Sequence, residues 1–239
     1  MGAENSTEWS AAAASTLSWW EAAGVDVLVD DLPRDWFARP VAPKVAMPVP
    51  ARRAEALPDT LEGFLAWRLG DAAPDAGWGP ARLPFAGDPA ASLLVLTDLP
   101  EDGDEKEGVL FSGPAGRLFD AMLAAIGLSR GDVYLAALAV SRPVTGQIAA
   151  GALPELGRLA RHLLALTRPR TLLMLGTAPS RALLDEDAPR ARGRLHSVDH
   201  EGGMTTATVL MPPRFLLGQP ARKADAWADL LMLKGNLSQ

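Results

Sequence analysis

The chain has 239 residues, of which 48% are hydrophobic and 22% charged, a composition typical of a globular protein with a sizeable core. It contains no cysteine, which excludes disulfide bonds, thiolate-bound zinc, cysteine-ligated iron–sulfur clusters and a cysteine nucleophile. It also has no run of about 18 apolar residues and no basic N-terminal segment of the kind that directs secretion. The sequence therefore predicts a cytoplasmic, monomeric protein with no cofactor and no membrane segment.

Charge is distributed unevenly along the chain. Residues 1–107 contain 8 basic and 19 acidic side chains, a net charge of −11, whereas residues 108–239 contain 15 basic and 10 acidic side chains, a net charge of +5. An anionic partner is therefore expected to bind the C-terminal half. The alternative is an ordinary solvated surface that happens to be rich in arginine.

Two features distinguish the first 90 residues from the rest. The alanine-rich stretch after Thr7 predicts a helix that ends at Gly24. Six prolines between residues 33 and 58 predict an extended connector. We expect residues 1–90 to form this helix and a proline-rich extension that packs on a domain of residues 91–239. The tryptophans of the N-terminal region are a candidate docking element for a protein partner.

From residue 92 onward, strand-like and helix-like patterns alternate. Continuous apolar runs predict buried strands at residues 92–98, 132–140, 171–176 and 205–211. Helical patterns are found at residues 115–128, 152–169, 177–184 and 221–235. This alternation predicts an α/β fold, with three layers (α/β/α) and a central, mainly parallel four-stranded sheet. Functional loops are expected at the carboxyl ends of the strands.

Several short motifs follow the strands in a fixed order. They are residues 97–101 (TDLPE), 108–116 (GVLFSGPAG), 124–128 (AAIGL), 132–134 (DVY), 142–143 (RP), 168–176 (RPRTLLMLG) and 212–217 (PPRFLL). In this order and spacing they resemble the uracil-DNA glycosylase superfamily, in particular the family 4 enzymes of bacteria and archaea. The resemblance implies a DNA-binding protein of base-excision repair that excises a damaged base by N-glycosidic hydrolysis.

Two residues of the family's uracil site are replaced. The family reads the polar edge of uracil with an asparagine where this chain has Ala137, and it stabilises negative charge on the departing base with a histidine where this chain has Pro212. A donor aimed at developing charge typically contributes roughly 10²–10³ in rate. The side chains of Ala137 and Pro212 can supply no such hydrogen bond. Whether the chain is an enzyme is therefore left open.

The ligands of the family's iron–sulfur cluster are also missing. Ser141 and Leu156 stand at two of the four cysteine positions, and a chain without cysteine excludes the 4Fe–4S cluster. A short helix capped by Asp59 is predicted over residues 59–69. We expect Leu156 and this segment to fill the space that the iron–sulfur cluster occupies in the family.

Two residues of the family's site remain. Asp98 matches the acidic residue of the first motif, and the resemblance implies that it stabilises the cationic sugar or orients a water molecule. The alternative is that Asp98 caps the loop 98–108. Phe111 matches the aromatic residue on which an extruded base stacks, and the alternative is that Phe111 is a core residue under this loop. The predicted base-binding residues are therefore Phe111 and Ala137, which replaces the family's asparagine.

DNA-binding residues are predicted from the resemblance and from residue chemistry. They are Ser112, Gly113, Arg142, Arg192, Arg194, Arg214, Phe215 and Leu216. Free N–H groups at a helix start such as Ser112-Gly113 can hold a phosphate, and guanidinium groups match phosphate oxygens. The loop with Phe215 and Leu216 matches the family's apolar wedge, which holds a base out of the stack. The alternative for Ser112-Gly113 is a plain helix start, and that for Arg192 and Arg194 is a solvated loop. For the apolar residues Phe215 and Leu216, the alternative is packing against the C-terminal helix.

The histidines give no metal site. His196, Asp199 and His200 are spaced like metal ligands, but their polar neighbours and the following Gly202-Gly203 favour a hairpin with a solvated turn. Three functions remain open: a DNA glycosylase of altered chemistry that uses Asp98, a catalytically inactive protein that binds DNA or a repair partner, and a small-ligand-binding protein on a generic α/β sheet.

Overall fold

The computed structural model describes residues 56–237 together with residues 14–16, 18–19 and 22. The described N-terminal residues are helical and exposed. The rest of the predicted N-terminal helix, and the connector up to residue 55, lie outside the described residues. The chain divides into two compact units, Met1–Glu55 and Ala56–Gln239. Residues 56–90 therefore belong to the same unit as the sheet.

Helices and strands alternate through residues 56–237. The helices are α1 (Leu61–Leu69), α2 (Asp104–Glu107), α3 (Pro114–Ala125), α4 (Leu153–Thr167), α5 (Thr177–Leu184), α6 (Ala188–Ala191), α7 (Pro213–Gly218) and α8 (Lys223–Leu237). The strands are β1 (Ala86–Gly87), β2 (Leu93–Thr97), β3 (Val133–Ala137), β4 (Thr171–Leu175), β5 (His196–His200) and β6 (Gly203–Leu210). Within this part of the chain, no helix combines the length and the apolar character needed to cross a membrane.

The strands form one sheet in the order β1-β3-β2-β4-β6-β5. The four predicted strands are β2, β3, β4 and β6, and they pair in parallel at the centre of the sheet, which confirms the predicted α/β architecture. The sheet has six strands instead of the predicted four because each edge carries an antiparallel strand, β1 beside β3 and β5 beside β6. The predicted hairpin around His196 and His200 is formed by β5 and β6, and both histidines lie on the β5 edge strand.

Every residue of β2, β3 and β4 is buried, as expected for parallel strands that are covered on both faces. Leu94 and Leu96 of β2 face one core cluster, and Leu93 and Val95 face the other, so successive side chains pack into two separate layers. The first cluster also contains Phe64 of α1 and Leu156 of α4. Leu156 and the segment 59–69 therefore pack together in the core.

A buried ion pair attaches the α1 segment to the sheet. The Arg68 and Asp75 side chains are only 2% and 0% exposed and form a two-pronged salt bridge. Arg68 also donates to the Leu138 carbonyl at 2.8 Å, and Asp75 accepts from the Val140 backbone N–H at 2.6 Å. Both charges are thereby satisfied in a place that water does not reach. Residues 68–75 are thus anchored to the chain that leaves β3.

A buried tyrosine gives a direct test of the core on this side of the sheet. Tyr134 is the chain's single tyrosine, and its hydroxyl is buried without a hydrogen-bond partner among the described residues. Burial raises its pKa from 10.0 to about 12. Because the fold favours the neutral phenol, this contribution to stability is complete below about pH 10 and is lost as the pH rises through about 12.

We therefore expect tyrosinate absorbance to develop near pH 12 in the folded protein and near pH 10 in denaturant. Tyr134→Phe should leave the free energy of unfolding unchanged or raise it by up to about 1 kcal/mol, because an unsatisfied hydroxyl is removed. Ionisation at the ordinary pH in the folded protein would show that the hydroxyl is not buried in this way.

Candidate functional site

A cleft of about 650 Å³ opens at the carboxyl ends of β2, β4 and β6. The strand register places Thr97, Ala137, Leu175 and Leu210 at this one edge of the sheet. The cleft is lined by Asp98, Leu99, Gly146, Gln147, Ile148, Ala150, Leu153, Gly176, Thr177, Ala178, Arg181, Pro189, Met211, Pro212, Arg214 and Phe215. The loops that follow the parallel strands thus supply both charged and apolar walls.

Arg214 joins two carboxylates at one end of the cleft. It forms a bidentate ion pair with Asp98, with Nη1 at 3.0 Å from Oδ1 and Nη2 on Oδ2, and Nη1 also donates to Glu101 Oε1 at 3.0 Å. Asp98 Oδ1 additionally accepts from the Leu99 N–H at 2.9 Å. The Asp98 and Glu101 side chains are 11% and 9% exposed, whereas the Arg214 side chain is 33% exposed. Both Asp98 oxygens are therefore occupied by the guanidinium.

Burial and charge act in opposite directions on this cluster. Burial raises the pKa of Glu101, although the charge of Arg214 and its hydrogen bond lower it. Burial opposes the charge of Arg214, but its hydrogen bonds and charge interactions with Asp98 and Glu101 outweigh that effect and raise its pKa. Arg214 therefore stays cationic and neutralises Asp98. In this arrangement Asp98 Oδ1 accepts from Arg214 and Leu99, whereas Oδ2 accepts from Arg214 alone among the described residues.

Phe111, the predicted stacking residue, lies in the core beside the cleft. It is 2% exposed, and its ring stacks on Phe119 with the ring centroids 4.8 Å apart. It does not line the cleft. Its backbone adopts a left-handed conformation with φ of 57°, which is costly for a bulky residue and persists only where surrounding contacts hold it.

Asp104 and Arg130 hold the Phe111 backbone in that conformation. The Asp104 carboxylate is 0% exposed and accepts from the N–H groups of Phe111 and Ser112, both at 2.8 Å, and from Ser112 Oγ at 2.7 Å. Arg130 Nη2 donates to the Phe111 carbonyl at 2.6 Å. The Ser112 N–H, which belongs to the helix start predicted to hold a phosphate, thus binds Asp104, as does the Ser112 hydroxyl. Gly113 is the N-cap of α3.

The two positions that the resemblance matches to the family's uracil-site residues have no hydrogen-bonding side chain here. Ala137 is the last residue of β3 and is buried. Pro212 lines the cleft as the N-cap of α7, and Pro213 follows it as the first residue of that helix. Neither proline has an N–H group. The structure therefore places ring carbons, and no hydrogen-bond donor, at this point of the cleft wall.

The remaining predicted DNA contacts differ in accessibility. Arg192 pairs with Asp229, Arg194 pairs with Glu186, and Arg142 donates to the Pro100 carbonyl at 2.7 Å. Among the apolar residues, Phe215 is half-buried and lines the cleft, whereas Leu216 is buried in the second core cluster. Their contact with DNA remains a prediction.

The donor groups of this chain do not fit an iron–sulfur cluster. Ser141 and Leu156 are both buried, and neither a hydroxyl nor an alkyl side chain replaces a thiolate ligand. The histidines make ordinary contacts: His196 Nε2 lies 2.6 Å from the Ala191 carbonyl and His200 Nε2 3.0 Å from Thr205 Oγ1. In the described part of the chain, no group of acidic or histidine side chains could hold a metal ion.

Sequence reasoning missed four residues of this region. Glu101 was visible as a second carboxylate in the loop after β2, but nothing in the sequence indicated that it shares Arg214 with Asp98. Gln147 lines the cleft from the loop that follows β3, and Thr177 lines it from the start of α5. Their positions just past strand ends were the available signal. Asp104 gave no signal, because its role depends on the path of the loop.

Comparison with known proteins agrees with this architecture. Residues 84–231 match the model of the uracil DNA glycosylase superfamily. The chain is 23% identical over 164 residues to a type-4 uracil-DNA glycosylase of Pyrobaculum aerophilum, which covers 64% of this chain and 82% of that protein. It is 25% identical over 158 residues to a type-4 uracil-DNA glycosylase of Archaeoglobus fulgidus, covering 62% of this chain and 77% of that protein.

Proposed function

Because the chain belongs to the uracil DNA glycosylase superfamily, we propose that it binds DNA at the cleft and does not excise uracil by the family's chemistry. The observation that carries this proposal is the ion pair of Arg214 with Asp98 and Glu101. This ion pair neutralises Asp98, the acidic residue that this chain retains from the family's first motif. The protein acts as a reader of DNA in base-excision repair.

The chemistry of base excision explains why the protein does not excise uracil in the way the family does. Breaking the glycosidic bond builds positive charge on the sugar and negative charge on the departing base. A donor aimed at that negative charge is worth roughly 10²–10³ in rate. Pro212 and Ala137 supply none, and Asp98 is held by a guanidinium. All three groups that would act on the sugar and the base are therefore replaced or neutralised.

Three observations support DNA binding at the cleft. The matched relatives are uracil-DNA glycosylases. The C-terminal half of the chain has a net charge of +5. The cleft combines an exposed guanidinium, Arg181, with an aromatic wall, Phe215. Cationic groups attract the phosphate backbone, and an aromatic ring offers a platform for a base.

The binding half is tested by fluorescence anisotropy with a single-stranded, uracil-containing oligonucleotide over a series of salt concentrations. Arg181 lines the cleft and forms one exposed pair with Asp187, so Arg181→Gln should weaken binding about three- to tenfold and reduce the slope of log affinity against log salt by about 1. Arg222→Gln is the matched control, since Arg222 forms an exposed pair with Asp225 outside the cleft. Absence of binding at low salt, or equal effects of both variants, would contradict DNA binding at the cleft.

One observation favours a second candidate function. Arg214 lies in the cleft beside Asp98, where a guanidinium could donate to the departing base in place of the missing histidine. In that case the protein is a glycosylase of altered chemistry. Abasic product that is lost in both Arg214→Gln and Asp98→Ala would establish this function over the reading function.

A further inference from the structure

One edge of the sheet has no strand beside it in the described part of the chain. β5 (His196–His200) is the last strand in the sheet order and pairs with β6 alone. This pairing runs through consecutive residues without a bulge. β5 also contains neither lysine nor proline, residues that commonly protect an edge from pairing with another chain. Within residues 56–237, the outer edge of β5 is therefore open to a further strand.

The hydrogen bonds of β6 show which backbone groups lie on that open edge. The Leu210 carbonyl accepts from the Gly176 N–H at 2.9 Å, so it points toward β4. Because successive residues of a strand direct their backbone groups to opposite sides, the β6 partner of Val198 points toward β5 and bonds to it. The two neighbours of Val198, Ser197 and Asp199, therefore direct their N–H and C=O groups away from the sheet.

The sequence of β5, HSVDH, makes this edge complementary to itself. When two copies of the strand lie antiparallel about a two-fold axis at Val198, Ser197 of each copy lies opposite Asp199 of the other. Both residues carry the outward backbone groups, so each pair exchanges two hydrogen bonds. From this arrangement we propose that β5 is a dimerisation edge, through which two copies of the chain join their sheets into one continuous sheet.

Charge and strand length select this register over its neighbours. A pairing centred on Asp199 would place two carboxylates opposite each other, which destabilises a cross-strand pair. A pairing centred on Ser197 keeps one hydrogen-bonded pair within the strand, because the next outward residue, Leu195, precedes β5. The register centred on Val198 forms two such pairs. It also places the exposed Ser197 hydroxyl beside the Asp199 carboxylate of the other copy, to which it can donate.

This dimerisation edge is separate from the cleft, because no residue of β5 lines the cleft. The inference therefore goes beyond DNA binding and does not depend on it. Pairing of two short edges buries less area than a standard protein interface, so the dimer should dissociate with a Kd of about 10–100 µM.

Sedimentation velocity of the full chain, at concentrations below and above that Kd, tests the proposal with charge variants. Ser197→Asp places a second carboxylate opposite Asp199 and should weaken the dimer about three- to tenfold, because two-fold symmetry repeats the repulsion. Ser197→Lys places a cation there and should strengthen the dimer by a similar factor. Gln219→Asp and Gln219→Lys are matched controls, since they make the same charge changes at an exposed residue outside β5.

Amide hydrogen exchange identifies the strand that forms the interface. The N–H groups of Ser197 and Asp199 should exchange about fivefold more slowly above the Kd than below it. The Val198 N–H, which points toward β6, should be unaffected. A chain that stays monomeric, as the composition suggested, would overturn the proposal. A dimer in which these two amides stay unprotected, or in which the Ser197 variants behave like the Gln219 variants, would also overturn it.

Discussion

Arg68→Ala is expected to lower the free energy of unfolding by about 3–5 kcal/mol, the largest effect of any single substitution considered for this protein. The change leaves the Asp75 carboxylate 0% exposed and without its counter-charge. It also removes the donor to the Leu138 carbonyl. An unpaired buried charge is far more costly than a lost surface ion pair.

Urea unfolding of matched variants measures this effect. Arg158→Ala is the control, because its pair with Glu155 lies on the surface of α4 and should contribute less than about 1 kcal/mol. The double variant Arg68→Met/Asp75→Asn should recover part of the loss, since no unpaired charge remains and the new amide can still accept from Val140. A loss for Arg68→Ala no larger than that for Arg158→Ala would refute the anchoring role.

Gly116→Ala is expected to lower the free energy of unfolding by about 3 kcal/mol, although alanine favours helices. A Cβ atom at this position of α3 would lie 1.8 Å from the Phe111 carbonyl oxygen and 2.5 Å from its carbonyl carbon. The obstacle is backbone that Arg130 and Asp104 hold in place, so the clash cannot relax cheaply. The loop that carries Phe111 and Ser112 should therefore be displaced.

Gly235→Ala is the matched control for this substitution. A Cβ atom there meets nothing within 4 Å, so alanine in α8 should raise the free energy of unfolding by about 0.5–1 kcal/mol. Thermal unfolding compares the two variants, and amide exchange of Phe111 and Ser112 reports on the loop. Equal stabilisation by both substitutions would show that α3 and the Phe111 loop are not in close contact.

The sequence determined the centre of the sheet better than its edges. The β2, β3 and β4 runs are continuously apolar because both faces of a covered parallel sheet are buried, and this is a strong local signal. The edge strand β1 has only two residues, and β5 (HSVDH) has a polar sequence with a half-exposed pattern. Such strands are defined by their neighbours, so no local pattern revealed them.

The site was located by topology, but its internal contacts were not predictable. The loops after parallel strands meet at one edge, and this brought Asp98 and the Pro212 loop together as expected. Arg214 was predicted as a phosphate contact, yet it pairs with Asp98, a residue 116 positions away in the chain. The sequence could not decide whether Phe111 stacks on a base or packs in the core. Its burial depends on Asp104 and Arg130, which hold the loop through side-chain hydrogen bonds.

The most direct test of the account follows one single-stranded oligonucleotide containing uracil. Its binding is measured by anisotropy, and abasic sites are revealed by alkali at excess protein, for the wild type and for Asp98→Ala. The account predicts that both proteins bind the oligonucleotide and that neither forms abasic product, because the donors at Ala137 and Pro212 are absent and Arg214 neutralises Asp98. Abasic product from the wild type that disappears in Asp98→Ala would contradict it.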